Sequence, residues 1–165
     1  MSEWKTLSIV ETGDPADMPE VTRLFLDYAR WFEASFHHTF CFQGFDAELR
    51  DLPGVYAPPG GNIWLALSAD AGAVGVIAVK PLAAPEVCEM KRLWVDPDWQ
   101  GSGLGRHLAA LSIAWARKSG YRTMKLDTLK RMAAAVALYR SLGFDEIDAY
   151  VDNPIEDVLF LGLEL

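Results

Sequence analysis

Between residues 93 and 106 the chain reads Leu-Trp-Val-Asp-Pro-Asp-Trp-Gln-Gly-Ser-Gly-Leu-Gly-Arg, with Gly101, Gly103 and Gly105 at alternate positions. That spacing lets a backbone turn tightly and approach a ligand closely, because no Cβ stands in the way. An apolar run leads into the glycines and a helical pattern starts at Leu104. The first N–H groups of a helix lack acceptors and carry the positive end of its dipole. The segment therefore predicts a phosphate site, with a pyrophosphate as its natural guest. The competing reading is a tight strand-to-helix turn that holds nothing.

Two nucleotide loops are set aside. A Walker A loop needs Gly-Lys-Ser/Thr, and no such lysine exists here. A dinucleotide fingerprint begun at Gly101 would need glycine or alanine where Arg106 stands. It would also lie near the first strand of its unit, whereas this loop follows an antiparallel hairpin.

The elements that must position the loop follow from periodicity. Thr6 to Val10 predicts a strand. Asp14-Pro15-Ala16-Asp17 supplies turn and capping chemistry before a helix from Met18 or Pro19, whose apolar face is Val21, Leu24, Phe25, Tyr28, Trp31 and Phe32. A short helix over Phe45 to Leu52 precedes a Pro/Gly loop ending at Gly61. Asn62 to Ser68 and Ala73 to Val79, divided by Asp70-Ala71-Gly72, predict a hairpin. Val87 to Val95 is a strand stopped by Asp96-Pro97-Asp98. Then come a helix over Leu104 to Lys118, a strand over Thr123 to Thr128 and a helix over Met132 to Leu142. Gly120 and Gly143 end the two helices. Phe144 to Val151 and Val158 to Leu163 are the last two strands. Helical crossovers on both sides of Thr123 to Thr128 imply local parallel pairing. The fold class is α/β (α+β), a mixed, mostly antiparallel sheet with helices packed against it.

Composition bounds the partners. A chain of 165 residues suits one domain. Fifteen basic against 23 acidic residues give a net charge of −8, which argues against nucleic acid and suits a cationic or amine substrate. Cys41 and Cys88 sit in apolar stretches and read as buried hydrophobes of a reducing compartment. No secretory signal and no apolar run long enough for a bilayer is visible, so no membrane is expected and a cytoplasmic location is. His37 and His38 point to different helix faces, and no Cys/His/carboxylate cluster has ligand spacing, so no metal is expected.

Gln100-x-x-Gly103-x-Gly105 resembles the Gln/Arg-x-x-Gly-x-Gly/Ala acyl-CoA loop of the GNAT N-acetyltransferase superfamily. It follows a strand, Glu89 to Val95, of the kind that precedes the loop there. Ala134-x-x-x-Leu138-Tyr139-x-x-x-Gly143-Phe144 is similar to the family's helix-to-strand segment. The specific motifs lie between residues 87 and 144. The resemblance implies one GNAT domain over residues 1–165: about seven strands and about four helices, with Val87–Val95 and Thr123–Thr128 as a splayed parallel pair holding acetyl-CoA. Backbone N–H groups of Gln100, Gly101, Ser102, Gly103, Leu104, Gly105 and Arg106 would cradle the pyrophosphate. Backbone groups of Leu93 and Val95, flanking Trp94, would pair with the pantetheine arm, and an amide near Leu93 would polarise the thioester carbonyl. The Arg106 side chain either approaches a phosphate or is solvated. Many members carry an asparagine after the fifth strand. Here Asp127-Thr128-Leu129-Lys130-Arg131 stands instead, with Thr128 as the candidate for the pantetheine, and Lys130 or Arg131 for the phosphates, against a plain solvated helix entry.

By the same resemblance Tyr139 is the general acid for the departing thiolate, unless it only packs its helix. Glu89 lies six residues before Val95, on the same strand face if alternation is unbroken. It matches a general-base position of some members, or simply pairs with Lys91. Phe32, Phe36 and Tyr150 are candidate acceptor walls, with helix-end packing as the alternative for the aromatics. The expected function is transfer of an acetyl group to a primary amine of a small molecule or peptide by direct attack. A non-catalytic acyl-CoA-binding regulatory module is the competing reading. A homodimer paired through sheet edges or C-terminal strands would follow family habit.

Overall fold

Two apolar faces on the central strands decide the layering. In a strand, neighbouring side chains point to opposite sides, so a strand apolar throughout must be covered twice. β2 (Asn62–Ser68) and β3 (Gly72–Pro81) are almost wholly buried. Leu65, Val76 and Ala78 meet Val21, Leu24 and Phe25 of α1 (Met18–Phe36) on one face. On the other, Val74 and Val79 pack with Leu104, Leu108 and Ile113 of α3 (Leu104–Lys118). Gly75 belongs to this second layer, where an added Cβ would come within 3.2 Å of Leu104 and Leu108.

The computed structural model describes residues 7–40 and 44–165. Thr6, Cys41 and Phe42 lie outside them. The remaining elements are β1 (Leu7–Glu11), α2 (Phe45–Asp51), β4 (Val87–Val95), β5 (Thr123–Leu129), α4 (Ala133–Ser141), β6 (Asp145–Glu146) and β7 (Val158–Glu164). The sheet has seven strands in the order β1-β2-β3-β4-β5-β7-β6. All neighbours run antiparallel except β4 and β5, so the mixed sheet with one parallel pair and four helices is as expected.

The strand predicted over Phe144 to Val151 is much shorter. Only Asp145 and Glu146 pair with β7, and Ile147 adds one further bond to Phe160 O. Beyond it the chain leaves the sheet, and Tyr150 turns back to donate a hydrogen bond to Glu89.

Two irregularities in β4 shape the molecule. Parallel pairing with β5 is confined to Val87↔Thr123, Cys88↔Met124 and Glu89↔Lys125, so the strands part beyond residue 89. Further on, Arg92 has φ +60° and the β3–β4 register slips between Val76 and Ala78, the mark of a β-bulge. A non-glycine residue in that region costs about 1–3 kcal/mol. The bulge shifts the phase of the strand. Before it, Glu89 and Lys91 share a cavity with α2, while Cys88 and Met90 pack on the α3 side. After it, Trp94 joins the α1 core, and Leu93 and Val95 the α3 core. Glu89 and Val95 therefore lie on opposite faces, which corrects the expectation from unbroken alternation.

Candidate active site

The glycine loop folds as its residue types require. Asp96 caps a single 3-10 turn, Pro97–Trp99, by accepting from Asp98 N–H. Gly101 at φ +77° and Gly103 at φ +90° then reverse the chain into α3. Gln100 Nε2 donates to Val95 O at 2.9 Å, and Ser102 Oγ donates to Trp99 O at 2.6 Å, closing the turn from inside. Leu104 N–H leans on Ser102 Oγ at 3.3 Å, and His107 N–H makes the first helical bond, to Gly103 O. The amides of Gly101, Ser102, Gly103, Gly105 and Arg106 meet no acceptor from the described residues. Open amides in this arrangement form a cradle of the kind that suits an anion at a helix start. The Arg106 side chain donates to Ser141 Oγ at 2.9 Å, tying α3 to α4.

The cradle stands at the mouth of the parted strands. A cavity of about 430 Å³ runs past Gln100 and Gly101 between Trp94 and Val95 on one side and Ala134 and Leu138 on the other. Trp94 is buried and stacked on Tyr28 at 5.5 Å. Asp96 N–H donates to Val74 O, so Asp96 and Trp94 turn their amides toward β3. Alternate residues of a strand bond to opposite edges, so Leu93 and Val95 turn theirs into the opening.

Where β4 and β5 separate, a small cavity of about 50 Å³ is lined by Tyr28, Phe32, Leu93, Thr128 and Tyr139. The hydroxyl of Thr128 makes a weak contact with Met132 Sδ at 3.6 Å. Tyr139 is buried with its ring edge-on to Phe144, and burial pushes its phenol well above the ordinary range. The phenol of Tyr28, a half-buried residue, is pushed up to about 12 by the loss of water around it.

On the far side lies a cavity of about 540 Å³ between α2, the Gly54–Tyr56 turn and β4. Glu89 lines it and is 2% exposed, so its carboxylate depends wholly on partners. One oxygen accepts from Tyr150 Oη at 2.5 Å; the other lies 3.5 Å from Lys80 Nζ and 3.9 Å from Lys91 Nζ. Lys91 also reaches Asp127 at 3.5 Å, and Asn153 Nδ2 donates to the same carboxylate at 3.0 Å. Lys91, Arg92 and Asp127 line both this cavity and the small one, while Tyr28, Leu93 and Met132 line both the small one and the first. The three cavities thus adjoin one another along the split in the sheet.

The structure brings the loop, Leu93 to Val95, Thr128, Tyr139 and Glu89 to the walls of these adjoining cavities. It sets Tyr150 apart from the other two candidate acceptor walls, Phe32 and Phe36, whose rings meet edge-on at 5.3 Å. Phe32 lines the small cavity and Phe36 the loop-side one, where Arg131 lies over its ring at 5.1 Å while pairing with Asp157. Tyr150 reaches the edge of the α2-side cavity through its bond to Glu89. Sequence reasoning missed Glu48, Lys80 and the bulge at Arg92. One signal was present: the charged positions of the strand are 89, 91 and 92, and the adjacent pair breaks a strict alternation. Among the described residues no cluster could hold a metal ion and no helix is long and apolar enough to cross a membrane.

A sheet split at one parallel pair, with open amides at its mouth, is the frame of an acyl-transfer enzyme, and comparison with known proteins agrees. Residues 21–144 match the model of the acetyltransferase (GNAT) family, so the chain belongs to that family and is an acyltransferase. It is 36% identical to an uncharacterised N-acetyltransferase of Schizosaccharomyces pombe over all of this chain and 99% of that one. An aminoglycoside N(6')-acetyltransferase of Stenotrophomonas maltophilia is 32% identical over 67% of this chain and 78% of its own. The PaiA N-acetyltransferase of Thermoplasma acidophilum, solved with coenzyme A, shares the fold with a TM-score of 0.73 at 16% identity, over 96% of this chain and 99% of that one.

Proposed function

We propose that the protein moves an acetyl group from acetyl-CoA to a primary amine of a small molecule or peptide, by direct attack. The observation that carries this reading is the set of open amides of Gly101, Ser102, Gly103, Gly105 and Arg106 beside a cleft edged by the amides of Leu93 and Val95. The first group suits a diphosphate and the second the amides of a pantetheine arm. Between them the cleft holds a substrate in line, and proximity supplies much of the rate.

In the reaction the amine nitrogen bonds to the thioester carbon and the carbon–sulfur bond breaks. The Leu93 amide steadies charge growing on the carbonyl oxygen. The amine proton passes to Glu89, directly or through water, and Tyr139 gives its proton to the leaving sulfur. Burial raises the Tyr139 phenol, which keeps the proton in place until it is needed. A thiolate formed in the same dry gap is raised by the same cause, so donor and acceptor stay comparable in basicity. Thr128 and the Arg131 side chain border the donor arm, and the α2-side cavity receives the acceptor. An aminoglycoside, a peptide amine and other small amines all fall within this class.

A thiol-release assay with acetyl-CoA against amines, polyamines, aminoglycosides, amino acids and peptides tests the reading, beside calorimetry with coenzyme A. Turnover with one class supports it. A chain that does not bind coenzyme A refutes it.

A further inference from the structure

The bulge at Arg92 decides which β4 amides face the gap. Leu82 N–H bonds to Val87 O, so before the bulge the odd-numbered residues turn their backbone groups toward β3. After it the even-numbered ones do, as Asp96 shows by bonding to Val74 O. Without the extra residue, Leu93 would turn its amide into the β3 ladder and away from the opening.

Holding Arg92 at φ +60° takes an anchor, and its side chain has one. The guanidinium, 3% exposed, grips Glu48 of α2 through Nη2 at 2.6 Å and Nε at 3.1 Å. It also lies over the rings of Phe40 and Phe45, at 4.6 and 5.1 Å. Glu48 is fixed in turn by Tyr56 Oη, which donates at 2.5 Å. A buried ion pair of this kind adds little stability over well-packed apolar residues, so stability alone is a poor reason for it. Its geometry is another matter, since a two-pronged guanidinium–carboxylate contact fixes orientation as well as distance.

We infer that the Arg92–Glu48 pair is the positioning device of the site: it locks the bulge so that the Leu93 amide points at the acyl carbonyl. Neither residue touches the reacting atoms in this account. The pair also forms part of the acceptor-side wall, so the surface that receives the amine and the amide that activates the thioester share one brace. The inference rests on the acetyl-CoA reading above, and its test separates the two.

The test uses acetyl-CoA labelled with ¹³C at the carbonyl, bound to the full chain. The wild type is expected to bind it with a displaced carbonyl resonance and a lowered carbonyl stretch. The Leu93 amide signal should move with acetyl-CoA and not with coenzyme A alone. Glu48→Gln with Arg92→Ala should keep affinity for acetyl-CoA by calorimetry yet lose the carbonyl displacement. Turnover, once an acceptor is in hand, should fall on the order of 10²-fold, as for loss of one oxyanion donor. Glu48→Gln with Arg92→Gly should restore most of the carbonyl displacement, because glycine takes a positive φ without an anchor. Backbone shifts of residues 91–94 in the ligand-free variants would show whether the bulge persists. Wild type that binds acetyl-CoA with an unmoved carbonyl overturns the inference without help from any variant. So does a displacement that survives Arg92→Ala, or one that Arg92→Gly fails to restore. No binding at all by wild type would sink the acetyl-CoA reading itself.

Discussion

Tyr139 lines the gap beside Tyr28, Asp127 and Thr128, so a variant that removes its hydroxyl and nothing else tests its role. Tyr139→Phe deletes the proton donor and keeps the ring that packs on Phe144. Thiol release should fall on the order of 10²-fold, with affinity for coenzyme A unchanged in calorimetry. An equal rate would reduce Tyr139 to packing. Cys88 carries the opposite kind of expectation. It is wholly enclosed, and burial pushes its thiol up to about 12, so almost no thiolate forms in the native protein. The peptide containing Cys88 should stay unlabelled by iodoacetamide at mildly alkaline pH and label rapidly in denaturant. Native labelling at the denatured rate would show the site to be open.

The loop before α3 depends on backbone shape more than on any side chain. Gly101 has φ +77° with nothing within 4 Å of a Cβ position, so Gly101→Ala meets no neighbour and pays only for the conformation. A loss of about 1–3 kcal/mol in unfolding free energy is expected, with weaker coenzyme A binding as the amides shift. Denaturant melts and calorimetry on the same variant read both. That loop was legible in the sequence because its requirement is local: three glycines, a capping aspartate and a helical pattern lie within a dozen residues or so. The same holds for α1 and the β2–β3 hairpin, whose periods are long enough to read. The bulge was not legible in the same way. What holds Arg92 at positive φ is Glu48, 44 positions away, along with two phenylalanine rings, and strand periodicity contains none of that. The overlong last-but-one strand failed for a related reason. Phe144 to Val151 has strand-like residues, but Tyr150 is claimed by Glu89, across the sheet from β6.

At the scale of the whole molecule, the Arg92–Glu48 pair joins α2 to the sheet and makes stability depend on acid. Burial alone would raise the Glu48 carboxyl, but hydrogen bonds and charge from Arg92 outweigh it and hold Glu48 below the usual carboxylate range. A group lowered by folding gives its full stabilisation above its unfolded value, about 4.3 for glutamate. That share is lost as pH falls through the lower folded value. Acid unfolding of the wild type should steepen below about pH 4.3, and Glu48→Gln should flatten that part of the curve. An identical acid limb in the variant would show the pair to be electrostatically idle. The parted strands carry a consequence of their own. Between β1–β4 and β5–β7–β6 the sheet is sewn by three residue pairs at one end, so it resembles a book whose spine is stitched only at the bottom. Whatever lies in the upper part of the spine supplies the missing stitches. Deuterium uptake at Leu93 and Val95 should be quick in the empty protein and slow in the loaded one, and warming should first loosen the two leaves along that seam.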